Sequence, residues 1–281
     1  MNPDQATQYG QLVQAAYAVD PSDLTNRAQE IIDSQFDPLR RIYQIVTTIY
    51  SNDLATDLNP ERGDDIVSLG YIAQDDSNNI VISIRGTEGI WEWIHDAEFL
   101  SVKCPFLPGA GNTEDGFTAI YQSLRIGSAA SSSRVLDALA ALPFRQPVGT
   151  LTVCGHSLSG AVATLLALDI AANTAYKNVS VYTYASPRTG DPLFASTYNQ
   201  VVPDSYRFAN RVDIVDMLPP PPFYEHVAGL CDLNPISFGL PPKVLIKFDV
   251  GCEHSMNSYL YLISLLPGAT IRQILDQQCS L

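Results

Sequence analysis

Basic residues are scarce in this sequence. Its 281 residues include 16 Lys and Arg against 30 Asp and Glu, which gives a formal net charge of −14 at pH 7. A surface of this sign repels nucleic acids and anionic membranes, which argues against nucleic-acid binding and against electrostatic docking on such membranes. The sequence also has no uninterrupted apolar run long enough to span a bilayer. Any contact with lipid must therefore be apolar.

The sequence has no recognisable export signal and no metal-binding cysteine pattern. Its first residues contain neither a basic segment nor an apolar signal core, which favours a cytoplasmic location over a secreted one. Five cysteines are scattered without metal-ligand spacing, and we expect neither a metal nor an organic cofactor. Cys231 and Cys252 flank one segment and could form a disulfide. Without an export signal, however, reduced thiols are the favoured expectation.

The sequence contains no repeats, low-complexity tracts or interdomain linkers. This absence predicts one domain over residues 1–281, with an N-terminal helical part in residues 1–60. Before residue 150, hydrophobic periodicity predicts several helices and one pair of strands joined by a turn at 74–79. These elements are helices at 4–18, 27–50, 90–100 and 117–142, the last broken near 127–128, and strands at 66–73 and 80–85.

Beyond residue 150, predicted strands alternate with predicted helices. Such alternation is typical of an α/β fold with a mostly parallel central sheet and helices on both faces. Four consecutive prolines at 219–222 indicate a rigid extended loop within this part. The predicted elements are strands at 151–154, 179–185, 206–209 and 244–250, and helices at 158–173, 192–198 and 256–266.

The most informative segment is the turn that follows the strand at 151–154. A β-branched apolar run ends at Cys154, and an Ala/Leu-rich helix begins within four residues. A serine in such a turn projects its hydroxyl clear of the sheet, beside helix N–H groups that can stabilise an oxyanion. This context predicts Ser157 as a nucleophile. The glycine usual two residues later is replaced by Ser159, with glycine delayed to Gly160, which weakens the match of the turn to the motif.

A serine nucleophile needs a histidine base, and in this architecture the base comes last in the chain order Ser, Asp or Glu, His. His156 lies inside the turn, where its side chain cannot curl back onto the Ser157 hydroxyl. His254 follows the predicted strand at 244–250 and precedes a helix, the expected position of the base. His226, in the proline-rich loop, is the less favoured alternative.

The base in turn needs a carboxylate that orients it. Asp213 comes just after the predicted strand at 206–209 and is the favoured candidate, with Asp216 second. Asp191 precedes Pro192 at the start of a predicted helix, a pattern typical of a helix N-cap.

Acyl transfer also requires two N–H donors for the oxyanion of the tetrahedral intermediate. The residue directly after the nucleophile supplies the first donor, which predicts the backbone N–H of Leu158. The second comes from a loop after an earlier strand. Thr87, at the end of the strand at 80–85, lies at the right place.

An ordered set of motifs between about residue 66 and residue 266 resembles the class 3, fungal-lipase-like family. The resemblance implies an α/β-hydrolase-like fold that hydrolyses carboxylic esters, with Ser157, Asp213 and His254 as the triad and Thr87 and Leu158 as the oxyanion hole. The motifs are Ile84-Arg-Gly-Thr87, Trp93-Ile-His-Asp96, Gly116-Phe117-x-x-x-Tyr121, the turn at 155–160, Ser186-Pro-Arg-x-Gly-Asp191 and Asn210-Arg-Val-Asp-Ile-Val215-x-x-Leu218-Pro219.

In that family the helix after the Arg-Gly-Thr motif is a lid over the active site, which makes residues 88–100 a candidate lid. Apolar residues line one side of this predicted helix, and opening would expose two tryptophans suited to a lipid–water boundary. A helix packed permanently on the core explains the same pattern. The candidate lid and substrate-binding residues are Ile90, Trp91, Trp93 and Ile94.

The sequence therefore predicts a serine carboxylic-ester hydrolase that forms an acyl-enzyme, with lipid or other acyl esters as substrates. It predicts no stable protein partner, no cofactor, and at most transient contact with a lipid interface. A phospholipase or galactolipase and a feruloyl-type esterase use the same machinery and stay open as alternatives. A binding protein that has kept the fold and lost catalysis is a further alternative, favoured only by Ser159.

Overall fold

The structure is a computed structural model, and one central sheet organises it. The model describes residues 1–19, 29–30, 32, 42–51, 67–86, 98–128, 131–239, 250–274 and 279. Within these residues a nine-stranded sheet has the order β11-β10-β9-β8-β3-β2-β1-β6-β7, and a small two-stranded sheet joins β4 to β5. The strands are β1 (Tyr43–Ser51), β2 (Val67–Asp75), β3 (Ile80–Ile84), β4 (Ser101–Lys103), β5 (Asn112–Glu114), β6 (Arg125–Ser128), β7 (Ser131–Arg134), β8 (Leu151–His156), β9 (Val179–Tyr184), β10 (Ser205–Ala209) and β11 (Leu230–Asp232).

Strands β3, β8, β9, β10 and β11 run parallel to one another, and the remaining pairings are antiparallel. The alternation predicted beyond residue 150 is thus confirmed: the chain has an α/β fold with a mostly parallel central sheet. The helices are α1 (Pro3–Ala16), α2 (Asp115–Ser123), α3 (Val135–Leu139), α4 (Leu158–Asn173), α5 (Pro192–Val201), α6 (Val250–His254) and α7 (Met256–Ser264).

Both faces of the sheet are buried. Successive residues of a strand point to opposite faces, so neighbouring residues belong to different cores. In β3, Ile82 belongs to the core that contains α2, α4 and α5. Its neighbour Val81 belongs to the opposite core, which contains α1 and α7. Helices therefore cover both faces, as predicted. None of the helices in the described ranges combines the length and apolar character needed to cross a membrane.

Predictions based on strong local signals are confirmed. The hairpin of β2 and β3 pairs Gln74 with Ile80 across the predicted turn. Helix α4 occupies 158–173, and Asp191 caps α5 by accepting a hydrogen bond from Phe194 N–H at 2.8 Å. That residues 1–281 form one domain stays a prediction.

The helix predicted at 27–50 is wrong for its second half, because residues 43–51 form β1. This strand is rich in β-branched and aromatic residues, and it pairs with β2 from Tyr43 to Ser51. Such side chains favour the surface of a sheet, where they pack against neighbouring strands. The pairing outweighs the helical periodicity, so the N-terminal 60 residues are not all helical.

The helix predicted at 117–142, with a break near 127–128, is wrong over its middle part, where the break is a hairpin of two strands. Helix α2 ends at Ser123, and an antiparallel hairpin of β6 and β7 separates it from the short helix α3. Gly127 and the serine-rich stretch after it have low helix propensity, which accounts for the interruption. The strand predicted at 244–250 lies outside the described residues, except for Val250, where α6 begins.

The cysteine predictions are wrong as well. Cys252 forms a disulfide with Cys279, so neither a Cys231–Cys252 pair nor a fully reduced set of thiols is present. Cys104, Cys154 and Cys231 are free thiols. The two bonded cysteines are 27 residues apart, and no local pattern in the sequence selects this pair. The disulfide joins α6 to residue 279 near the end of the sequence.

We predict that Cys279→Ser lowers the free energy of unfolding by about 2–4 kcal/mol, because the disulfide restricts the unfolded chain. Urea unfolding without reductant measures the change. Cys231→Ser is the matched control, since Cys231 is a free thiol, and its unfolding should match the wild type. Equal destabilisation by both variants, or by neither, would contradict the Cys252–Cys279 assignment.

Candidate active site

Ser157 occupies a strained backbone position between β8 and α4. Its φ of 60° and ψ of −139° lie in a region that residues with a side chain rarely adopt. Two hydrogen bonds hold this conformation: Ser157 N–H donates to Tyr184 O at 2.9 Å, and Gly160 N–H donates to Ser157 O at 2.7 Å. The sharp turn predicted from the sequence is therefore present at Ser157.

Two glycines allow helix α4 to pack closely at this turn, one against strand β8 and one against the segment after β9. A Cβ on Gly155 would lie 2.3 Å from the backbone oxygen of Ser159, and one on Gly160 would lie 2.7 Å from the Cβ of Ser186. Both distances are too short for any side chain. Gly160 thus provides the close contact between α4 and the segment after β9, one position later than the usual motif.

Ser159 fits at the usual glycine position at the cost of an unsatisfied hydroxyl. The residue is fully buried, and its Oγ has no hydrogen-bond partner within the described part of the chain. A buried hydroxyl without a partner is destabilising. The serine side chain therefore fits where the motif has glycine, but its hydroxyl lowers the stability of the fold.

The three residues predicted as a triad lie in hydrogen-bond contact. Ser157 Oγ is 2.7 Å from His254 Nε2, and His254 Nδ1 is 2.8 Å from Asp213 Oδ2. An ionised carboxylate can only accept, so Nδ1 carries the proton and Nε2 accepts from the serine hydroxyl. All three side chains are buried. This arrangement allows His254 to take the proton of Ser157.

Asp213 is fixed by further donors. Its Oδ1 accepts from Val215 N–H at 2.9 Å, and its Oδ2 accepts from the Tyr259 hydroxyl at 2.9 Å as well as from His254. Burial raises the pKa of Tyr259 well above its ordinary value, and the Asp213 charge acts in the same direction. Tyr259 therefore remains a protonated donor. The contact of Tyr259 with Asp213 was not predicted. Tyr259 lies among the apolar residues of α7, and nothing in the local sequence distinguishes it from a core residue.

The alternative acid and base lie in a separate cluster. Asp216 Oδ1 binds Arg207 at 2.7 Å, and burial raises the pKa of Asp216 to about 6 against the opposing effect of Arg207. His226 Nε2 donates to the carbonyl oxygen of Asp216 at 2.8 Å. Burial lowers the pKa of His226 to about 3, and the charges of Arg207 and Arg188 act in the same direction. The structure brings neither residue to Ser157.

Leu158, the first predicted oxyanion donor, lies at the N-terminus of α4. Leu158 is the first residue of α4, so its N–H has no acceptor within the helix and is directed at the helix N-terminus. Thr87, the second predicted donor, lies outside the described residues, as do the candidate lid residues Ile90, Trp91, Trp93 and Ile94. Residues 98–100, the end of the predicted helix, are described and are not helical. Among the described residues, no cluster of His, Cys, Asp and Glu could hold a metal ion.

Comparisons with known proteins place this geometry in context. The profile of the family described as lipase (class 3) matches residues 81–223. A secreted mono- and diacylglycerol lipase of Fusarium solani is 31% identical over 56% of this chain and 45% of its own. Phospholipase A1-IIgamma of Arabidopsis thaliana is 28% identical over 71% of this chain and 54% of its own. The chain thus spans about half the length of the curated relatives it matches.

A solved structure is similar over a longer range. A propeptide complex of a Rhizomucor miehei lipase deletion mutant has a TM-score of 0.59 and 26% identity, over 83% of this chain and 67% of its own.

The predicted preference for a cytoplasmic over a secreted location is wrong, because a relative of this chain is named a secreted lipase. The Cys252–Cys279 disulfide also fits an oxidising compartment better than the cytosol.

We predict that His254→Asn lowers kcat on a soluble ester by at least about a thousand-fold, because it removes the group that accepts the Ser157 proton. Initial rates with p-nitrophenyl butyrate measure the loss. His226→Asn is the matched control and should stay within a few-fold of the wild type. The reverse ranking of the two variants would contradict the assignment of His254.

The same control variant carries a stability prediction. Between pH 6.5 and about pH 3 the unfolded chain protonates His226 and the folded chain does not, so the wild type loses stability as the pH falls through this range. Because His226→Asn lacks this group, its stability should fall less steeply. Urea midpoints at pH 7 and pH 5 give the two slopes, and equal slopes would count against a buried, neutral His226.

We predict that Ser159→Ala raises the free energy of unfolding by about 1 kcal/mol, because it removes a buried hydroxyl without a partner. Alanine also has a higher helix propensity than serine. Urea unfolding measures the gain, and kcat should be unchanged. A loss of stability would show that the Ser159 hydroxyl has a partner after all.

Proposed function

Since the chain belongs to the class 3 lipase family, we propose that it hydrolyses carboxylic esters of lipids with Ser157 as the nucleophile. The observation that carries this proposal is the buried run of hydrogen bonds from Ser157 Oγ through His254 to Asp213, with contacts of 2.7 and 2.8 Å. The first contact is short enough for His254 to activate Ser157, and the second is short enough for Asp213 to orient His254. Because the chain spans about half the length of the curated relatives it matches, their activity is not carried over and is proposed for this chain.

In the first half-reaction, Ser157 Oγ attacks the ester carbonyl carbon and His254 Nε2 takes the hydroxyl proton. The carbonyl oxygen becomes an oxyanion, which the N–H of Leu158 and the proposed donor Thr87 stabilise. Asp213 keeps the proton of His254 on Nδ1 and stabilises the imidazolium that forms. Collapse of the intermediate breaks the ester bond, and the leaving alcohol takes the proton from Nε2.

In the second half-reaction, His254 activates a water molecule that attacks the acyl carbon bound to Ser157. A second oxyanion forms at the same donors. Collapse then releases the carboxylic acid and returns the proton from His254 to Ser157 Oγ. No step requires a metal or an organic cofactor.

We propose neutral acylglycerols as the substrate class. Supporting this choice, one relative is named a mono- and diacylglycerol lipase, and the net charge of −14 disfavours docking on anionic lipid surfaces. A plant relative is named a phospholipase A1, which makes phospholipids the second substrate to test. Residues 88–100 are proposed as a lid, with Ile90, Trp91, Trp93 and Ile94 contacting the lipid interface when it opens.

The test compares the wild type with Ser157→Ala. We expect a fluorophosphonate probe to label the wild type stoichiometrically at Ser157, because the hydroxyl is activated, and to leave the variant unlabelled. Hydrolysis of p-nitrophenyl butyrate should fall by at least about a thousand-fold in the variant while the fold is retained. Mass spectrometry locates the label, and circular dichroism checks the fold.

The control is Ser186→Ala, which removes the hydroxyl of another buried serine that donates to the backbone oxygen of Pro187. It should keep both labelling and hydrolysis. A folded wild type that the probe does not label would reject the enzyme and favour a binding protein that has lost catalysis. Emulsions of diacylglycerol, of triacylglycerol and of phosphatidylcholine then identify the substrate class, with diacylglycerol expected to be cleaved fastest.

A further inference from the structure

A second run of hydrogen bonds lies beside the triad. Gly86 N–H is 3.0 Å from the Tyr17 hydroxyl oxygen, and that oxygen is 2.6 Å from His156 Nδ1. On the other side of the ring, His156 Nε2 is 2.8 Å from the backbone oxygen of His254. Four segments that are far apart in the sequence are joined in this way.

The direction of each of these hydrogen bonds follows from the chemistry of the groups. The carbonyl oxygen of His254 can only accept, so His156 Nε2 carries the proton and Nδ1 is an acceptor. The amide of Gly86 can only donate, so the Tyr17 oxygen accepts from it and gives its own proton to Nδ1. One arrangement of protons therefore satisfies every group in the run.

The surroundings hold this run in place. His156 is buried at 3% exposure, and its ring centroid lies 4.8 Å from that of His254. Burial lowers the pKa of His156 well below its ordinary value, which keeps the ring neutral. Gly86 lies against the nucleophile, since a Cβ there would come within 2.8 Å of the Ser157 Cβ and 2.5 Å of the Tyr17 hydroxyl.

We propose that His156 and Tyr17 are positioning residues for the reaction, a role that rests on the proposed ester hydrolysis. His156 fixes the backbone at His254, whose side chain takes the proton of Ser157. Tyr17 fixes the backbone at Gly86, the last described residue before the proposed oxyanion donor Thr87. The backbone at His254 and the backbone at Gly86 are thereby held against the same turn that carries Ser157.

This role predicts a specific kinetic change. Removal of the run allows the base to move relative to Ser157, and displacements of about 1 Å lower rates by up to about a hundred-fold. The role proposed for the run is to position the reacting groups and not to contact the substrate. Loss of the run should therefore lower kcat and leave KM unchanged.

Tyr17→Phe tests the proposal by removing one oxygen, and His156→Leu and His156→Gln test the other residue. We expect kcat per active site to fall about ten-fold in Tyr17→Phe and about a hundred-fold in His156→Leu. His156→Gln keeps one donor and one acceptor and should lie between His156→Leu and the wild type. The rates are measured with p-nitrophenyl butyrate and divided by the number of sites that the fluorophosphonate probe labels.

Tyr9→Phe is the matched control, because Tyr9 lies on α1, which ends directly before Tyr17, and its hydroxyl accepts from Thr152 at 3.2 Å, away from the triad. It should keep the wild-type kcat per labelled site. Wild-type values of kcat per labelled site in Tyr17→Phe and His156→Leu would overturn the proposal, even if fewer sites were labelled or the melting temperature fell. Tyr17→Phe decides the question alone if His156→Leu does not fold. A wild type without labelling or hydrolysis would instead reject the proposed function.

Discussion

The backbone conformation of Ser157 is the constraint on which the rest of the site depends. A φ of 60° at a residue with a side chain costs on the order of 1–3 kcal/mol, and the surrounding structure has to offset that cost. The offset comes from the buried strand β8, from helix α4, which is buried from Leu158 to Ala171, and from the glycines on either side. The strained turn directs the hydroxyl of Ser157 at His254 and places the start of α4 beside it.

Burial of a carboxylate is the second requirement. Asp213 is completely buried in a protein with a large excess of negative charge. A buried carboxylate persists only when hydrogen bonds replace its lost hydration. Tyr259, His254 and the amide of Val215 supply these bonds, and the hydroxyl of Tyr259 in turn accepts from Asn210 N–H at 3.0 Å. The acid of the site is therefore held by the loop after β10 and by helix α7 together.

Local sequence signals were sufficient for the part of the molecule that carries the nucleophile. The β-branched run before the turn and the Ala/Leu-rich run after it predicted β8 and α4, and the chain order predicted Asp213 and His254 as neighbours of Ser157. Strand β1 was missed because it is stabilised by pairing with β2, whose partner residues lie 16 to 32 positions later in the chain. Tyr17 and Tyr259 were missed for a similar reason: their contacts bridge 139 and 46 residues, and no spacing in the sequence reports them.

The protonation of the triad has a consequence for the end of the reaction cycle. In the proposed reaction His254 begins as the acceptor of the Ser157 proton, and burial keeps His156 neutral, so that the negative charge of the site is assigned to Asp213. A neutral ester meets no repulsion there. Under the proposed reaction, the acid product ionises at neutral pH and then faces a like charge in a buried site, where charges are poorly screened. The carboxylate that orients the base thus also disfavours retention of the product, so that a single buried charge serves both proton transfer and turnover.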